Sequence, residues 1–326
     1  MKRLFRSLAR IVLGVSAVSA ALWIAAAVVM RQPVFGDTPF QGRLRSDPRA
    51  LRRHVETLTT TMHPRDARHP ENLDRAAEYI ERSFAGAGAS VTVQPFVVNG
   101  STYRNVVANF GPAAIDLPLL IVGAHYDAFG GRTGLPGADD NASGTAGLLE
   151  LARLLGASPP RTPVALVAYP NEEPPYFGSE RMGSFVHAEE LRTSGRAVSG
   201  MICLEMIGYF GAEQRYDSWV IDALYPRSGD FIAVAGGWDD RALLRGVKKA
   251  MRGAGGVRVL SLTGPREMLD ASDQRNYWMR GWPAVMITDT AYLRNPNYHA
   301  ATDVAGTLDY VRMARVVDGI YNATMQ

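Results

Sequence analysis

The sequence predicts an α/β fold, a mixed, mostly parallel twisted sheet with helices on both faces, preceded by one N-terminal transmembrane helix. Three observations lead there. Short apolar runs of strand length alternate with stretches of helical periodicity, the pattern of a sheet covered on both sides. The first strand candidates follow one another directly, as hairpin partners do, so the sheet is mixed. Ile11 to Met30 is a run of 20 residues without a charge, long enough to cross a bilayer as a helix.

Taken in order, Lys2, Arg3, Arg6 and Arg10 precede that run and favour an N-terminus left in the cytoplasm. The chain beyond is then exported, periplasmic or extracellular, and membrane-anchored. The rival reading is a secretory signal peptide, cleaved near the small residues Ala25–Ala27, which leaves a secreted protein. The apolar region of such peptides is usually ~7–15 residues, shorter than this one. Residues 1–30 are thus a membrane anchor or signal sequence. Residues 31–46, with Pro33, Gly36, Pro39 and Gly42, read as a linker. Residues 47–326 read as one domain.

Asp47 before Pro48 has the form of an N-cap followed by proline at the first helical position. Leu51, Val55 and Leu58 supply that helix's apolar face. A second helix is expected over Leu73–Phe84, closed by Gly86 and Gly88. Strands are expected at Val91–Val98, Asn105–Phe110, Leu119–Val122, Val164–Tyr169, Met201–Ile207, Phe231–Ala235, Val257–Leu262 and Ala284–Thr288. Helices are expected near Ser143–Leu155, Ser179–Arg192, Arg241–Arg252 and Leu308–Tyr321.

Composition narrows the function. Hydrophobic residues make up 47% of the 326, enough for a large core and against disorder. The formal charge is +3, but residues 1–31 carry five basic residues and no acid, so the remainder stands at −2. There is no basic stripe for nucleic acid. Cys203 is the only cysteine, which excludes an intrachain disulfide and a cysteine-rich zinc site.

The chemistry gathers at Leu119–Gly144, LLIVGAHYDAFGGRTGLPGADDNASG. His125 and Asp127 follow an apolar strand at its carboxyl end, where ligands bind in parallel sheets. Asp139, Asp140 and Asn141 then precede a helix. One histidine and three carboxylates in one place are costly unless a cation balances them, and a divalent metal serves. Asn171-Glu172-Glu173 follows the strand at Val164–Tyr169, and Glu205 interrupts the apolar run Met201–Ile207. Tyr298-His299, with Asp303, lies before the last helix. There is no H-E-x-x-H, no G-x-S-x-G and no phosphate or dinucleotide loop. His54, His63, His69 and His187 read as surface or capping residues. Cys203 shares a strand face with Glu205, either as a buried structural thiol or as a soft ligand.

H-x-D followed by G-A-D-D-N-A-S-G resembles the zinc-dependent M28 peptidases, and the later segments extend the likeness from about Leu119 to Asp303. The resemblance implies two zinc ions, or other divalent metals, with Asp140 as the bridging ligand. It pairs His125 and Glu205 on one metal, and Glu173 and His299 on the other. It makes Glu172 the general base and Asp127 the partner that orients His125. The implied reaction is hydrolysis of peptide bonds by a metal-bound hydroxide, and the implied class is an exopeptidase, foremost an aminopeptidase acting on peptides. Glu205 stands where the family usually has Asp, and Gln274, in Ser272-Asp273-Gln274, where it usually has His. Gln274 reads best as loop structure. Asp303 either orients His299 or lies near the start of the last helix. Asp139 is expected to cap the loop or helix start. Met206, Tyr209, Phe210, Tyr292, Arg294 and Asn295 are candidates for shaping substrate binding. Arg294 is either a clamp for a substrate carboxylate or an ordinary surface arginine. Two alternatives share the fold: a single-zinc acyltransferase resembling glutaminyl cyclase, and a non-catalytic receptor or scaffold. Retention of all five ligand types and the base weighs against both.

Overall fold

The computed structural model describes residues 2–35 and 43–326. A long apolar helix α1 (Lys2–Arg31) comes first, then α2 (Pro48–Glu56) and α3 (Pro70–Gly86). The hairpin β1 (Ser90–Val98) and β2 (Ser101–Phe110) leads into β3 (Leu119–His125), α4 (Gly144–Ala157), β4 (Val164–Tyr169), α5 (Gly183–Thr193) and β5 (Val198–Glu205). The chain continues through α6 (Trp219–Leu224), β6 (Phe231–Gly237), α7 (Arg241–Ala254), β7 (Arg258–Gly264), α8 (Gln274–Trp278), β8 (Ala284–Thr288) and α9 (Tyr310–Thr324).

All eight apolar runs read from the sequence are strands. Asp47 caps α2 as its position predicts, accepting a 2.8 Å bond from the Arg49 N–H, a contact typically worth ~1 kcal/mol. Gly86 lies inside α3 rather than closing it; Gly88, at φ +84°, makes the left-handed turn. The short helices α6 and α8 were not expected, because six and five residues are too few to display a periodic stripe.

The sheet runs in the order β1-β2-β4-β3-β5-β8-β6-β7. Strands β4, β3, β5 and β8 are mutually parallel, so their carboxyl ends open on one edge. The β1–β2 hairpin joins β4 antiparallel, and β6 joins β8 antiparallel, with β7 parallel to β6. Alternate residues of each strand face opposite layers. Val122, Leu166, Leu204 and Ile287 pack with α2, α3, α4, α7 and α9, whereas Ile121, Val167, Cys203 and Met286 pack with α5 and α8. Gly123 is small for a reason: a Cβ there would come within 2.4 Å of the Tyr169 ring that crosses it.

From Phe5 to Arg31, α1 is long and apolar enough to cross a membrane, with a mean hydropathy of 2.3 in its most apolar window, none of it buried. The expected linker falls largely on residues 36–42, outside the described residues.

Candidate metal centre and active site

The parallel strands fix the framework of the site. His125 is the last residue of β3 and Glu205 the last of β5. Glu172 and Glu173 follow the end of β4, and Asp140 lies in the turn that opens α4. His299 comes from the loop after β8. All but His299 are buried. Holding so many groups at strand ends strains the chain. Asn171, Met206, Thr290, Ala291 and His299 all take positive φ, between +48° and +87°, a conformation that costs non-glycine residues of order 1–3 kcal/mol each.

Two triads result, and they share one carboxylate. In the inner triad, His125 Nε2 stands 3.5 Å from Asp140 Oδ1 and 3.3 Å from Glu205 Oε2. In the outer triad, His299 Nε2 stands 3.1 Å from Asp140 Oδ2 and 3.4 Å from Glu173 Oε1. Neighbouring ligand atoms around a tetrahedral zinc, at bonds of about 2.0–2.1 Å, are separated by roughly 3.3–3.4 Å. His125 Nε2 and Glu173 Oε1 are also buried without a hydrogen-bond partner. The donor set therefore fits two divalent cations, with each oxygen of Asp140 facing one.

The electrostatics agree. Burial alone would keep His125 neutral, yet Glu172 and Glu205 push its pKa well above the ordinary value. Burial and the neighbouring Glu173 and Glu205 raise Glu172 well above the carboxylate range, although His125 opposes them. Burial and Asp140 push Glu173 up to about 8. Burial opposes charge on His299 too, but Asp140 and Glu173 raise it to about 10. The protein's own charges leave this cluster holding protons that a cation would displace.

The surrounding contacts fix each of these side chains. Asp127 lies behind His125, with Oδ1 3.3 Å and its carbonyl 3.2 Å from Nδ1, so a proton on Nδ1 leaves Nε2 facing the carboxylates. The same carboxylate accepts the backbone N–H groups of Glu172 (3.2 Å) and Glu173 (3.0 Å), tying β3 to the β4 loop. Ser272 donates a 2.6 Å bond to Glu205 Oε2. Asn141 donates to the Leu204 carbonyl and accepts from the N–H groups of Gly144 and Met206, stitching α4 to the end of β5. His299 lies between two rings, 4.0 Å from Phe129 and 3.9 Å from Tyr298. Arg65, fully buried, donates to the carbonyls of Leu58, Tyr126, Pro136 and Gly137. It thereby clamps the two loops that carry Asp127 and Asp140.

Several expectations need correction. Asp303 lies in the loop ahead of α9, the second of its two expected places; its carboxylate accepts the N–H groups of Asp139 and Asp140 at 2.9 and 3.1 Å. Of its two expected places Asp139 takes the loop and not the helix start: it accepts from the Gly208 N–H and from Asn295 Nδ2. Asn295 is thus turned into the protein behind the site. Arg294 is no surface arginine: it is buried, bonded to Gln214 and the Phe231 carbonyl, with its guanidinium 4.3 Å over the Phe231 ring. It braces that loop. Tyr292 is exposed, with its hydroxyl on Asp217. Met206 is buried, while Tyr209 and Phe210 are half-buried. Gln274 is buried and bonds the Leu269 carbonyl, and Cys203 is a buried thiol 3.4 Å from Ser272. His187, expected at the surface, is buried against the Tyr277 hydroxyl. Of the supporting residues, Arg65 and Phe129 are not marked by the sequence as parts of the site. Arg65 alone carried a hint, a charge set between Pro64 and Asp66 in a non-periodic stretch.

The sequence model of Peptidase family M28 matches residues 105–324. Uncharacterized protein YfbL of Escherichia coli (strain K12) is 47% identical over 303 residues, 90% of this chain and 92% of that protein. Other curated relatives, at 28% identity, are longer, and the chain spans about half their length. Among solved structures, BSAP, a zinc aminopeptidase from Bacillus subtilis, is similar with a TM-score of 0.68 at 16% identity, over 86% of this chain and 95% of that one. A glutaminyl cyclase from Tannerella forsythia is similar with a TM-score of 0.64 at 22% identity, over 86% and 98%. At those identities the two structures speak to the fold. The family match, spanning most of the chain, and the double triad at the sheet's carboxyl edge together place the chain in peptidase family M28.

Proposed function

We propose that this chain is a zinc exopeptidase, an aminopeptidase, anchored in a membrane by α1 with residues 47–326 exported as its catalytic domain. The observation that carries the reading is the sharing of Asp140, one oxygen to each triad, at separations suited to metal ligation. His125, Asp140 and Glu205 would hold one zinc; Asp140, Glu173 and His299 the other. When bound, the pair supplies Lewis-acid activation of water and of the scissile carbonyl at neutral pH.

The chain's own residues supply the rest. Glu172 belongs to neither triad, yet its Oε2 reaches within 3.8 Å of His125 Nε2. Its carboxylate stands where it can take a proton from the attacking water and return it to the leaving amine as the C–N bond breaks. Asp127 holds the two peptide N–H groups that place Glu172 and Glu173. The aminopeptidase assignment draws on the family and on the similarity to a zinc aminopeptidase. Two complete triads favour it over a single-zinc transferase, although a glutaminyl cyclase shares the fold.

The test is metal content of the purified chain beside hydrolysis of a panel of aminoacyl amides, with and without chelator. About two zinc per chain and chelator-sensitive release of the N-terminal residue is the expected result. One metal with cyclisation of N-terminal glutamine would move the chain to the transferases. No metal, and no activity on adding zinc back, would end the enzyme reading.

A further inference from the structure

A second site lies where α1 leaves the membrane, far from the chemistry in sequence and in kind. The catalytic domain receives the last turn of α1 through its backbone carbonyls. Thr263 donates to the Val29 carbonyl, Ser261 to that of Arg31, and Arg252 to that of Val34. Lys248, nearly buried, donates to the carbonyls of Arg31 and Gln32 and to Ser261. These polar contacts satisfy carbonyls that a helix end leaves without partners.

Beside this joint is a cavity of about 690 Å³ between α1 and the corner joining α7 to β7. Its apolar wall includes Ile24 and Val28 of α1 and Leu260 of β7. Its polar wall carries Arg31, Lys248, Arg252 and Arg258, and among the described residues its lining includes no acid. Of these four cations, Arg258 alone has a carboxylate within 4 Å among the described residues, Asp230 at 3.8 Å. Burial, with Arg252 and Arg31 nearby, lowers Lys248 to about 8, as uncompensated positive charge should. Trp219 of α6, 74% exposed, meets Trp23 of α1 edge-on at 5.8 Å. Trp23 lies eight residues before Arg31, roughly 12 Å deeper along the helix. A tryptophan held there marks the level of the membrane interface, so the cavity opens at headgroup depth.

We propose that this cavity binds one anionic phospholipid, its phosphate among Arg31, Arg252 and Arg258 and an acyl chain along Ile24 and Val28. The inference rests on α1 being a retained membrane helix. An apolar wall continuous with a membrane helix and a cationic rim at its exit match an amphiphile with an anionic head. A bound lipid would join anchor to domain and fix the height of the catalytic edge above the bilayer.

The full-length chain is reconstituted in vesicles of equal phosphatidylcholine and phosphatidylglycerol and extracted in mild detergent, and co-retained lipid is read by native mass spectrometry. One phosphatidylglycerol per chain, preferred about tenfold or more, is expected. The preference should vanish in the Arg31→Gln/Arg258→Gln double variant and persist in Arg49→Gln/Arg82→Gln, which removes the same charge from a remote surface. Equal retention of both lipids, an unchanged preference in the double variant, or displacement by inorganic phosphate would overturn the lipid site. Flotation of the vesicles separates the two failures: a chain that does not float overturns the anchor reading itself, whereas a floating chain without lipid preference overturns the cavity alone. Aminoacyl amide hydrolysis in detergent is read separately.

Discussion

The two triads share Asp140 and a family role but are built differently. The inner one stands on regular structure. His125 and Glu205 close adjacent parallel strands, their side chains are almost wholly buried, and Asp127 and Ser272 bond them from behind. The outer one stands on loops. His299 sits at φ +53°, its side chain 26% exposed, and is held by the rings of Phe129 and Tyr298. Strand ends are rigid because ladder bonds and core packing fix them, whereas a loop ligand depends on whatever packs around it. The inner triad should therefore hold its metal more tightly, and the outer should be the one that exchanges.

The largest effect should come from the residue that belongs to neither. Glu172→Gln keeps both triads but removes the proposed proton carrier, so turnover should fall about 10²–10⁴-fold with both metals retained. Steady-state kinetics beside metal analysis check this; retained turnover would remove Glu172 from its role. Next is Arg65, which serves both triads at once by clamping the Asp127 and Asp140 loops. Arg65→Met leaves buried carbonyls unpaired and should cost about 3 kcal/mol or more of stability, read as a lowered urea midpoint. If the variant is as stable as the parent, the clamp is not what positions these loops.

The comparison itself is sharpened by a matched pair. Ser272→Ala removes the hydrogen bond to Glu205, and Phe129→Ala removes one ring from His299. Each should weaken one metal by about 10–100-fold, the inner in the first case and the outer in the second. Competition with a chromophoric chelator resolves the two affinities. If both variants weaken the same metal, the division into inner and outer sites fails.

How much of this was legible follows from the same contrast. The eight strands and the residues at their carboxyl ends could be read because an apolar run followed by His, Glu or Asp is a local pattern. Glu205 announced itself as a carboxylate in an otherwise apolar strand. His299 depended on family likeness, since a Tyr-His pair in a loop has no period. The direction of β6 against β8 was not legible, because pairing direction depends on connections that sequence periodicity does not encode. The supporting contacts were hidden for a related reason. Asp303 reaches the Asp139 and Asp140 N–H groups across more than 160 positions, and Ser272 reaches Glu205 across 67. Arg294 and Asn295 read as candidates for shaping substrate binding because they lie near the site residues in sequence. Their burial against Phe231 and Asp139 comes from tertiary packing, which a loop composition does not announce.

The smallest effect expected is a matter of protons, and it bears on the outer triad. In the metal-free chain, Asp140 and Glu173 raise His299 from an ordinary 6.5 to about 10. The ion pairing with Asp140 that this represents is fully present below pH 6.5 and is lost as pH rises through 10. Glu173, raised from 4.5 to about 8 by burial and Asp140, is disfavoured when ionised, so the metal-free fold also loses stability as pH climbs from about 4.5 to 8. A metal needs the opposite states, a neutral His299 and an ionised Glu173, and its binding must release their protons. Metal affinity should then rise with pH. The gap in melting temperature between metal-loaded and metal-free chain should widen from pH 5 to pH 8. Calorimetry at pH 7 in buffers of different ionisation enthalpy should record proton release on binding, and Phe129→Ala should alter that release while Ser272→Ala leaves the part due to His299 in place. A gap that narrows as pH rises would mean that the outer triad does not hold its protons as its geometry requires, and that His299 is free of Asp140 and Glu173 in solution.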